Sequence, residues 1–208
     1  MNDYSMIDYT LLKPTATDID IFKLCYEAKE KECASVCIPS SFISKVKGWF
    51  KDSLKICTVV GFPLGNCSTE AKVKEAITAI HDGANEIDMV VNISAVKNHD
   101  WKAVTDDIKA VRGVTSSKIL KVIIETCYLT KEEKCILCEI VTESDADFIK
   151  TSTGFGTGGA TLEDVQLMRE YCGDNIQIKA SGGVRTREEV DAYLKAGCTR
   201  IGMSKLPD

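Results

Sequence analysis

Residues 147–164, DFIKTSTGFGTGGATLED, contain one complete strand–loop–helix unit. The first six residues are a short apolar run typical of a buried strand, and glycine-rich sequence follows them. Thr161 and Asp164 then form a capping-box pattern, which predicts that a helix begins there. A chain built from such units is expected to form a parallel sheet covered by helices.

Short β-branched runs alternate with amphipathic helical stretches over the whole chain. The predicted strands lie near residues 6–9, 34–38, 56–61, 86–91, 120–126, 147–152, 176–181 and 200–203. Three more capping-box pairs mark predicted helix starts, at Thr17/Asp20, Thr130/Glu133 and Thr186/Glu189. Eight strand–helix units predict an α/β fold of the (β/α)8, or TIM barrel, type. A doubly wound open sheet is the alternative.

The length of the chain sets the expected number of domains. With 208 residues, 44% of them hydrophobic, it is long enough for one sizeable core. We therefore expect a single barrel domain over residues 1–208. Only five residues follow the eighth predicted strand, so we expect the final helix to be missing or truncated.

Charge and cysteine content limit the classes of partner and cofactor. A net charge of -5 argues against nucleic acid or an anionic membrane as a partner. Without a targeting segment or a run of membrane-spanning length, the protein is expected to be cytoplasmic. The ten cysteines are spread along the chain and are predicted to be reduced core residues. Cys135 and Cys138 form a C-x-x-C pair with no further ligands to complete a zinc site, so no metal is predicted.

Two lysines occur where buried strands are predicted. Lys150 lies in DFIKTS and Lys179 in IQIKAS, and glycines follow each segment. Burial and a neighbouring ammonium both disfavour the charged form, so one amine can become a nucleophile that forms a Schiff base. The two-residue period of a strand places Asp88 on the same inward face, where it supplies charge and a proton relay. The alternative is structural, with the lysines extending past the strand ends and Asp88 neutralising one of them.

Glycine-bearing segments follow the last three predicted strands, at residues 153–159, 181–185 and 201–204. In barrels of this type, loops after the seventh and eighth strands commonly bind phosphate through backbone N–H groups. Each segment taken alone is more simply a turn. Together with the lysines, they predict a phosphorylated substrate whose carbonyl reaches Lys150.

At these same positions the chain resembles the deoxyribose-phosphate aldolase family, which are class I, or Schiff-base, aldolases. The matching segments are residues 7–12 (IDYTLL), 59–65 (VVGFPLG), 86–92 (EIDMVVN), 121–126 (KVIIET), 148–154 (FIKTSTG) and 179–185 (KASGGVR). The resemblance implies a (β/α)8 barrel that reversibly cleaves 2-deoxy-D-ribose 5-phosphate to D-glyceraldehyde 3-phosphate and acetaldehyde. It implies no metal and no organic cofactor.

The resemblance also implies roles for individual residues. Lys150 matches the Schiff-base lysine, Lys179 the lysine that perturbs it, Asp88 the proton donor or acceptor, and Asp8 an aspartate near Lys179. The positions that match the family's substrate and phosphate contacts are Cys37, Thr153, Gly154, Gly182, Gly183, Gly202 and Ser204.

Some features depart from the family pattern. Residues 39–42, PSSF, replace an aromatic and a basic residue found in many members, and Lys205 replaces a second small hydroxyl residue. The expected final helix and tail are missing, which leaves open a sugar-phosphate-binding barrel with impaired catalysis. A related Schiff-base aldolase with a different acceptor aldehyde is a further alternative. An uncovered barrel flank favours a possible homodimer.

Overall fold

The structure, a computed structural model, describes residues 3–207 and contains a closed barrel of eight parallel strands in sequence order. The strands are β1 (Ile7–Thr10), β2 (Ser35–Ile38), β3 (Ile56–Val60), β4 (Glu86–Val90), β5 (Ile119–Ile123), β6 (Phe148–Lys150), β7 (Gln177–Ser181) and β8 (Arg200–Met203). Pairing of β1 with β8 closes the barrel. The predicted (β/α)8 barrel is confirmed, and the open-sheet alternative is wrong.

Eight α-helices surround the barrel in the described part of the chain. They are α1 (Asp18–Glu30), α2 (Ile43–Phe50), α3 (Thr69–Asp82), α4 (Ile93–Lys97), α5 (Trp101–Val114), α6 (Lys131–Glu143), α7 (Leu162–Tyr171) and α8 (Arg187–Lys195). Both α4 and α5 lie between β4 and β5, and residues 204–207, after β8, form no helix. None of the described helices is long and apolar enough to cross a membrane.

The predicted helix starts are present. Thr17, Thr130 and Thr186 are N-caps of full capping boxes, in which the acid three residues later bonds back to the cap N–H. Thr161 caps α7 by accepting a hydrogen bond from the Asp164 N–H. Each cap satisfies a backbone donor that the first helical turn leaves unpaired, and so fixes where the chain leaves its loop.

The strands are buried on both faces, as parallel barrel strands are. The outward-facing side chains, such as Ile87 and Met89, pack in the hydrophobic core between the strands and the helices. The inward-facing residues Glu86 and Asp88 belong to the same strand but lie in a charged interior. The barrel interior is therefore the unusual region of this fold.

Candidate active site

The structure brings Lys150, Lys179 and Asp88 together inside the barrel. Lys150 is the last residue of β6, and its Nζ lies 2.8 Å from Asp88 Oδ2. Lys179 lies opposite Lys150 in the β6–β7 register, and its Nζ is also 2.8 Å from Asp88 Oδ2. Because both ammonium groups contact one oxygen, their nitrogens are separated by no more than twice that distance. The convergence expected from the strand period is present.

Asp8 lies on the other side of Lys179. Its Oδ2 is 2.5 Å from Lys179 Nζ, and its Oδ1 accepts a hydrogen bond of 2.7 Å from Ser35 Oγ. The side chain of Asp8 is fully buried. Lys179 is thus held between Asp8 and Asp88, and Asp8 lies beside it as the family resemblance implies.

Lys121 on β5 is a third lysine inside the barrel, to which the sequence analysis assigned no role. Its Nζ lies 2.8 Å from Asp88 Oδ1 and 2.5 Å from Glu86 Oε2. Asp88 and Lys121 are register partners on neighbouring strands. The available signal was the one used for the other two lysines, a lysine inside an apolar strand run.

Arg200 closes the interior from the N-terminal end of the barrel. Its Nη1 lies 2.5 Å from Asp8 Oδ1 and 3.1 Å from Glu86 Oε2. A cavity of about 720 Å³ opens at this end, with Arg200 and Glu86 in its wall. This cavity is at the opposite end of β6 from Lys150. The N-terminal face of a (β/α)8 barrel usually contributes to stability rather than to catalysis. We therefore interpret Arg200 and Glu86 as residues that stabilise the site.

We refer to seven side chains as the charge cluster: Asp8, Glu86, Asp88, Lys121, Lys150, Lys179 and Arg200. With every lysine protonated, four cations face three carboxylates. Because these side chains are removed from water, the excess of positive charge favours release of a proton from the charge cluster. Among the described residues Lys150 forms an ion pair with Asp88 alone, whereas Lys179 pairs with two carboxylates. Lys150 is therefore the least compensated lysine of the cluster.

The neighbouring groups fix the ionisation of Asp88 and Lys179. Burial alone would raise the pKa of the Asp88 carboxyl. The ammonium groups of Lys121, Lys150 and Lys179 outweigh burial and hold that pKa well below its usual range. Burial opposes the charge of Lys179, but Asp8 and Asp88 outweigh it and raise the pKa of Lys179 above its usual range. Near neutral pH, Asp88 is therefore ionised and Lys179 protonated.

The glycine loops lie at the C-terminal ends of β6 and β7, the same end as Lys150. Gly154, Gly182 and Gly183 have φ values of 84°, 84° and 86°, a region that favours glycine. A Cβ on Gly182 would lie 3.1 Å from the Gly159 Cα and 3.3 Å from the Ser152 Cβ. At Gly183 nothing lies within 4 Å of the corresponding position. The loop therefore has an open side, at Gly183, where a ligand can approach the backbone.

Gly202, Ser204 and Thr153, three other residues predicted to contact substrate or phosphate, differ in their surroundings. Gly202 lies on β8, where a Cβ would be 2.9 Å from Ser181 Cβ and 3.2 Å from Lys179 Cε, so glycine here makes room for Lys179. Ser204 follows β8 and is exposed. The Thr153 hydroxyl is hydrogen-bonded to the buried Glu125 carboxylate, and Thr153 Oγ1 accepts a 3.0 Å bond from the Phe155 N–H. Thr153 thus anchors the loop, through a partner that the sequence analysis did not identify.

Cys37 on β2 adjoins the charge cluster, and it lies opposite Cys57 of β3 in the strand register. Cys57 Sγ lies 3.1 Å from Asp88 Oδ1 and 3.4 Å from Lys121 Nζ. Cys37 is fully buried, and its role in a substrate pocket stays a prediction of the resemblance. Cys57, expected only as a core residue, is in addition a direct neighbour of Asp88.

The chain is similar to known aldolases along nearly its whole length. The model of the DeoC/LacD family aldolases matches residues 5–204. A deoxyribose-phosphate aldolase from Clostridium botulinum (strain Eklund 17B / Type B) is 56% identical over 199 residues, which cover 96% of this chain and 90% of that protein. The deoxyribose-phosphate aldolase from Clostridioides difficile (strain 630) is 52% identical over 200 residues, covering 96% and 91% of the two chains.

Solved structures give the same result. A tetrameric deoxyribose-phosphate aldolase from Aeropyrum pernix superposes with a TM-score of 0.90 at 31% identity, over 97% of this chain and 86% of that one. An aldolase named QR15 superposes with a TM-score of 0.93 at 40% identity, over 97% and 90%. Because the family model matches residues 5–204 and the relatives match nearly the whole chain, the chain belongs to the DeoC/LacD family of aldolases.

Proposed function

We propose that this protein, as one barrel domain over residues 1–208, reversibly cleaves 2-deoxy-D-ribose 5-phosphate to D-glyceraldehyde 3-phosphate and acetaldehyde. The reaction proceeds through a Schiff base at Lys150 and requires neither a metal nor an organic cofactor. The observation that carries this proposal is the position of Lys150. It lies at the end of β6 with one carboxylate partner, beside the protonated Lys179.

In the proposed reaction, the neutral Lys150 amine adds to the C1 carbonyl of the open-chain substrate. Loss of water gives an iminium ion. The iminium accepts the electron pair of the C2–C3 bond as the C3 hydroxyl loses its proton, and this releases glyceraldehyde 3-phosphate. The remaining enamine takes a proton at C2, and hydrolysis frees acetaldehyde and Lys150.

Asp88 and Lys179 are proposed to move the protons of this sequence. Asp88 Oδ2 contacts both lysine nitrogens at 2.8 Å, so it lies within hydrogen-bond reach of the imine nitrogen and of a protonated donor. Asp8 holds Lys179 in place from the opposite side. We assign Asp8, Glu86, Lys121 and Arg200 to positioning and charge balance.

A coupled assay tests the function. We expect the purified chain to release glyceraldehyde 3-phosphate from 2-deoxyribose 5-phosphate, detected by isomerisation of that product to dihydroxyacetone phosphate and reduction of the ketone with a dehydrogenase and NADH. Assays of the reverse reaction use acetaldehyde as the donor and several aldehydes as acceptors. They show whether glyceraldehyde 3-phosphate or a different aldehyde is the preferred acceptor. Absence of turnover with binding of the sugar phosphate would instead support a binding barrel with impaired catalysis.

The phosphate group is proposed to bind at the glycine loops, with Gly182, Gly183 and Ser204 nearest to it and Thr153 and Gly154 shaping the approach. Support comes from the open space at Gly183 and from backbone conformations that expose N–H groups. Because these loops lie at the lysine end of β6 and β7, a phosphate bound there would be on the same side of the barrel as Lys150.

Replacement of Gly183 by alanine tests the phosphate site. A Cβ meets no atom there, but it adds strain at the positive φ and covers the open backbone, so we expect KM for the phosphorylated substrate to rise about tenfold. Cleavage of unphosphorylated 2-deoxyribose by the same variant is the control and should change little. An equal loss with both sugars would contradict phosphate binding at Gly183.

We further propose that the protein forms a homodimer through an aromatic cluster on α1 and α2. Phe22, Tyr26 and Trp49 are exposed by 44%, 54% and 40%, and the rings of Phe22 and Trp49 are 5.5 Å apart. Contiguous apolar patches on a protein surface commonly mark interaction sites. Assembly of the Aeropyrum pernix aldolase as a tetramer gives additional support.

Light scattering during size-exclusion chromatography tests this assembly. We expect a dimer for the wild type and a monomer for Phe22→Ser, because that substitution removes the centre of the aromatic cluster. Leu162→Ser, at a residue on α7 with 43% exposure, is the matched control and should stay dimeric. A monomeric wild type would refute the proposal.

A further inference from the structure

Two cysteines lie side by side within the charge cluster. Cys37 on β2 and Cys57 on β3 are direct partners in the strand register, and both are fully buried. Their sulfur atoms and a carboxylate oxygen of Asp88 all lie within 4.8 Å of one another. Neighbouring strands are about 4.8 Å apart, which falls inside the Cα separation of about 4.4–6.8 Å that disulfides require.

The surroundings make Cys37 the reactive sulfur of the pair. Its hydrogen bond with Cys57 lowers the pKa of Cys37, burial and the charge of Asp88 oppose that effect, and the charges of Lys179 and Lys150 support it, with a net lowering. Burial raises the pKa of Cys57 well above its usual range, so Cys57 keeps its proton. A thiol of lowered pKa beside a second thiol is the arrangement found in reactive dithiols.

We propose that Cys37 and Cys57 form a peroxide-reactive dithiol, which closes to a disulfide and reversibly inactivates the enzyme. The same two sulfurs and Asp88 have the composition of a soft-metal site. Lys121 argues against a cation, because its ammonium lies 3.4 Å from Cys57 Sγ and 2.8 Å from Asp88 Oδ1. Formation of a disulfide places no additional positive charge beside that ammonium.

The oxidation balances with one peroxide molecule. The Cys37 thiolate attacks a peroxide oxygen, the O–O bond breaks, and the released hydroxide takes a proton to become water. The resulting sulfenic acid is attacked by the Cys57 sulfur, which forms the S–S bond and breaks the S–O bond. The second hydroxide takes the Cys57 proton. Two thiols and one hydrogen peroxide thus give one disulfide and two waters.

Leu12 and Phe62 are partly buried residues that pack against the two cysteines. Hydrogen peroxide is smaller than acetaldehyde, which under the proposed function reaches Lys150 in the same interior. A route adequate for the product is therefore adequate for the oxidant.

Closing the disulfide disturbs the proton-transfer groups. It consumes the Cys57 thiol, whose sulfur lies 3.1 Å from Asp88 Oδ1, and it moves the sulfur that contacts Lys121. A displacement of about 1 Å near reacting groups costs on the order of 100-fold in rate. The effect on turnover rests on the proposed aldolase function, whereas formation of the bridge does not.

The test treats the full chain with hydrogen peroxide and follows both activity and peptide mass under non-reducing digestion. For the wild type we expect a peptide pair joined through Cys37 and Cys57 and lighter by two hydrogen atoms. We expect at least about a tenfold loss of kcat/KM, and recovery of both after dithiothreitol. Cys57→Ala, compared with its own untreated activity, should lack the bridge and any loss that dithiothreitol reverses.

Cys138→Ala is the matched control, since it removes another hydrogen-bonded cysteine pair, Cys138 with Cys172. This variant should lose and recover activity as the wild type does. The inference is overturned if the Cys37–Cys57 bridge does not form, if it forms without loss of activity, or if Cys57→Ala shows the same reversible loss. Bridge formation is read from mass alone, so an inactive aldolase and an unreactive dithiol give different results.

Discussion

Replacement of Lys150 by alanine is expected to lower kcat/KM for 2-deoxyribose 5-phosphate by at least about 1,000-fold, because the variant lacks the amine that is proposed to form the imine. The Lys150 side chain is 4% exposed, and those of Lys121 and Lys179 are fully buried between carboxylates. The measurement is the coupled release of glyceraldehyde 3-phosphate by wild type and variant at matched concentration.

Lys134→Ala is a suitable control for this experiment. Lys134 on α6 also pairs with a carboxylate, Asp164, at 2.6 Å, but it lies outside the barrel interior. That variant should retain activity close to that of the wild type. If Lys150→Ala keeps more than about a tenth of wild-type activity, a difference of less than about 1.4 kcal/mol, Lys150 is not the nucleophile.

Replacement of Lys179 by leucine is expected to reduce kcat/KM near neutral pH by about 100-fold, with partial recovery as the pH rises. Lys179 is protonated because Asp8 and Asp88 raise its pKa above the usual range. Without its charge, the cluster contains three cations and three carboxylates, and the positive excess that favours proton release is gone. The measurement is the pH–rate profile, whose rising limb should move to higher pH.

A control variant separates the effect of losing the Lys179 charge from a general effect of replacing a lysine by leucine. Lys102→Leu removes an exposed lysine that pairs with Asp106 on the same helix, and such pairs contribute little to stability. Its profile should match that of the wild type. An unchanged profile for Lys179→Leu would show that Lys179 does not set the ionisation of the site, even if the rate falls.

The fold could be predicted because its determinants are local. The capping pairs that begin with Thr17, Thr130 and Thr186 satisfy donors in their own helices, and strand runs such as residues 56–60, ICTVV, are rich in apolar and β-branched residues. The period of two then placed Asp88 and Lys150 on inward faces. For parallel strands in sequence order, those assignments are sufficient to bring the side chains together.

The rest of the site depends on contacts between distant strands. Lys121 contacts Glu86 and Asp88 across a register that the sequence does not state, and Arg200 reaches Asp8 only after the barrel closes. Glu125 was missed for the same reason, since its partner Thr153 belongs to another loop. Charge balance in a buried cluster is a property of the assembled group, so no single segment reveals it.

The most direct test of the central claim is trapping of the imine. Borohydride is added to the protein with acetaldehyde, and the digested protein is analysed by mass spectrometry. Reduction of the imine should add an ethyl group to Lys150 alone and abolish turnover. An ethyl group on Lys179 or Lys121 with Lys150 unmodified, or no modification in a protein that cleaves the substrate, would contradict a Schiff base at Lys150.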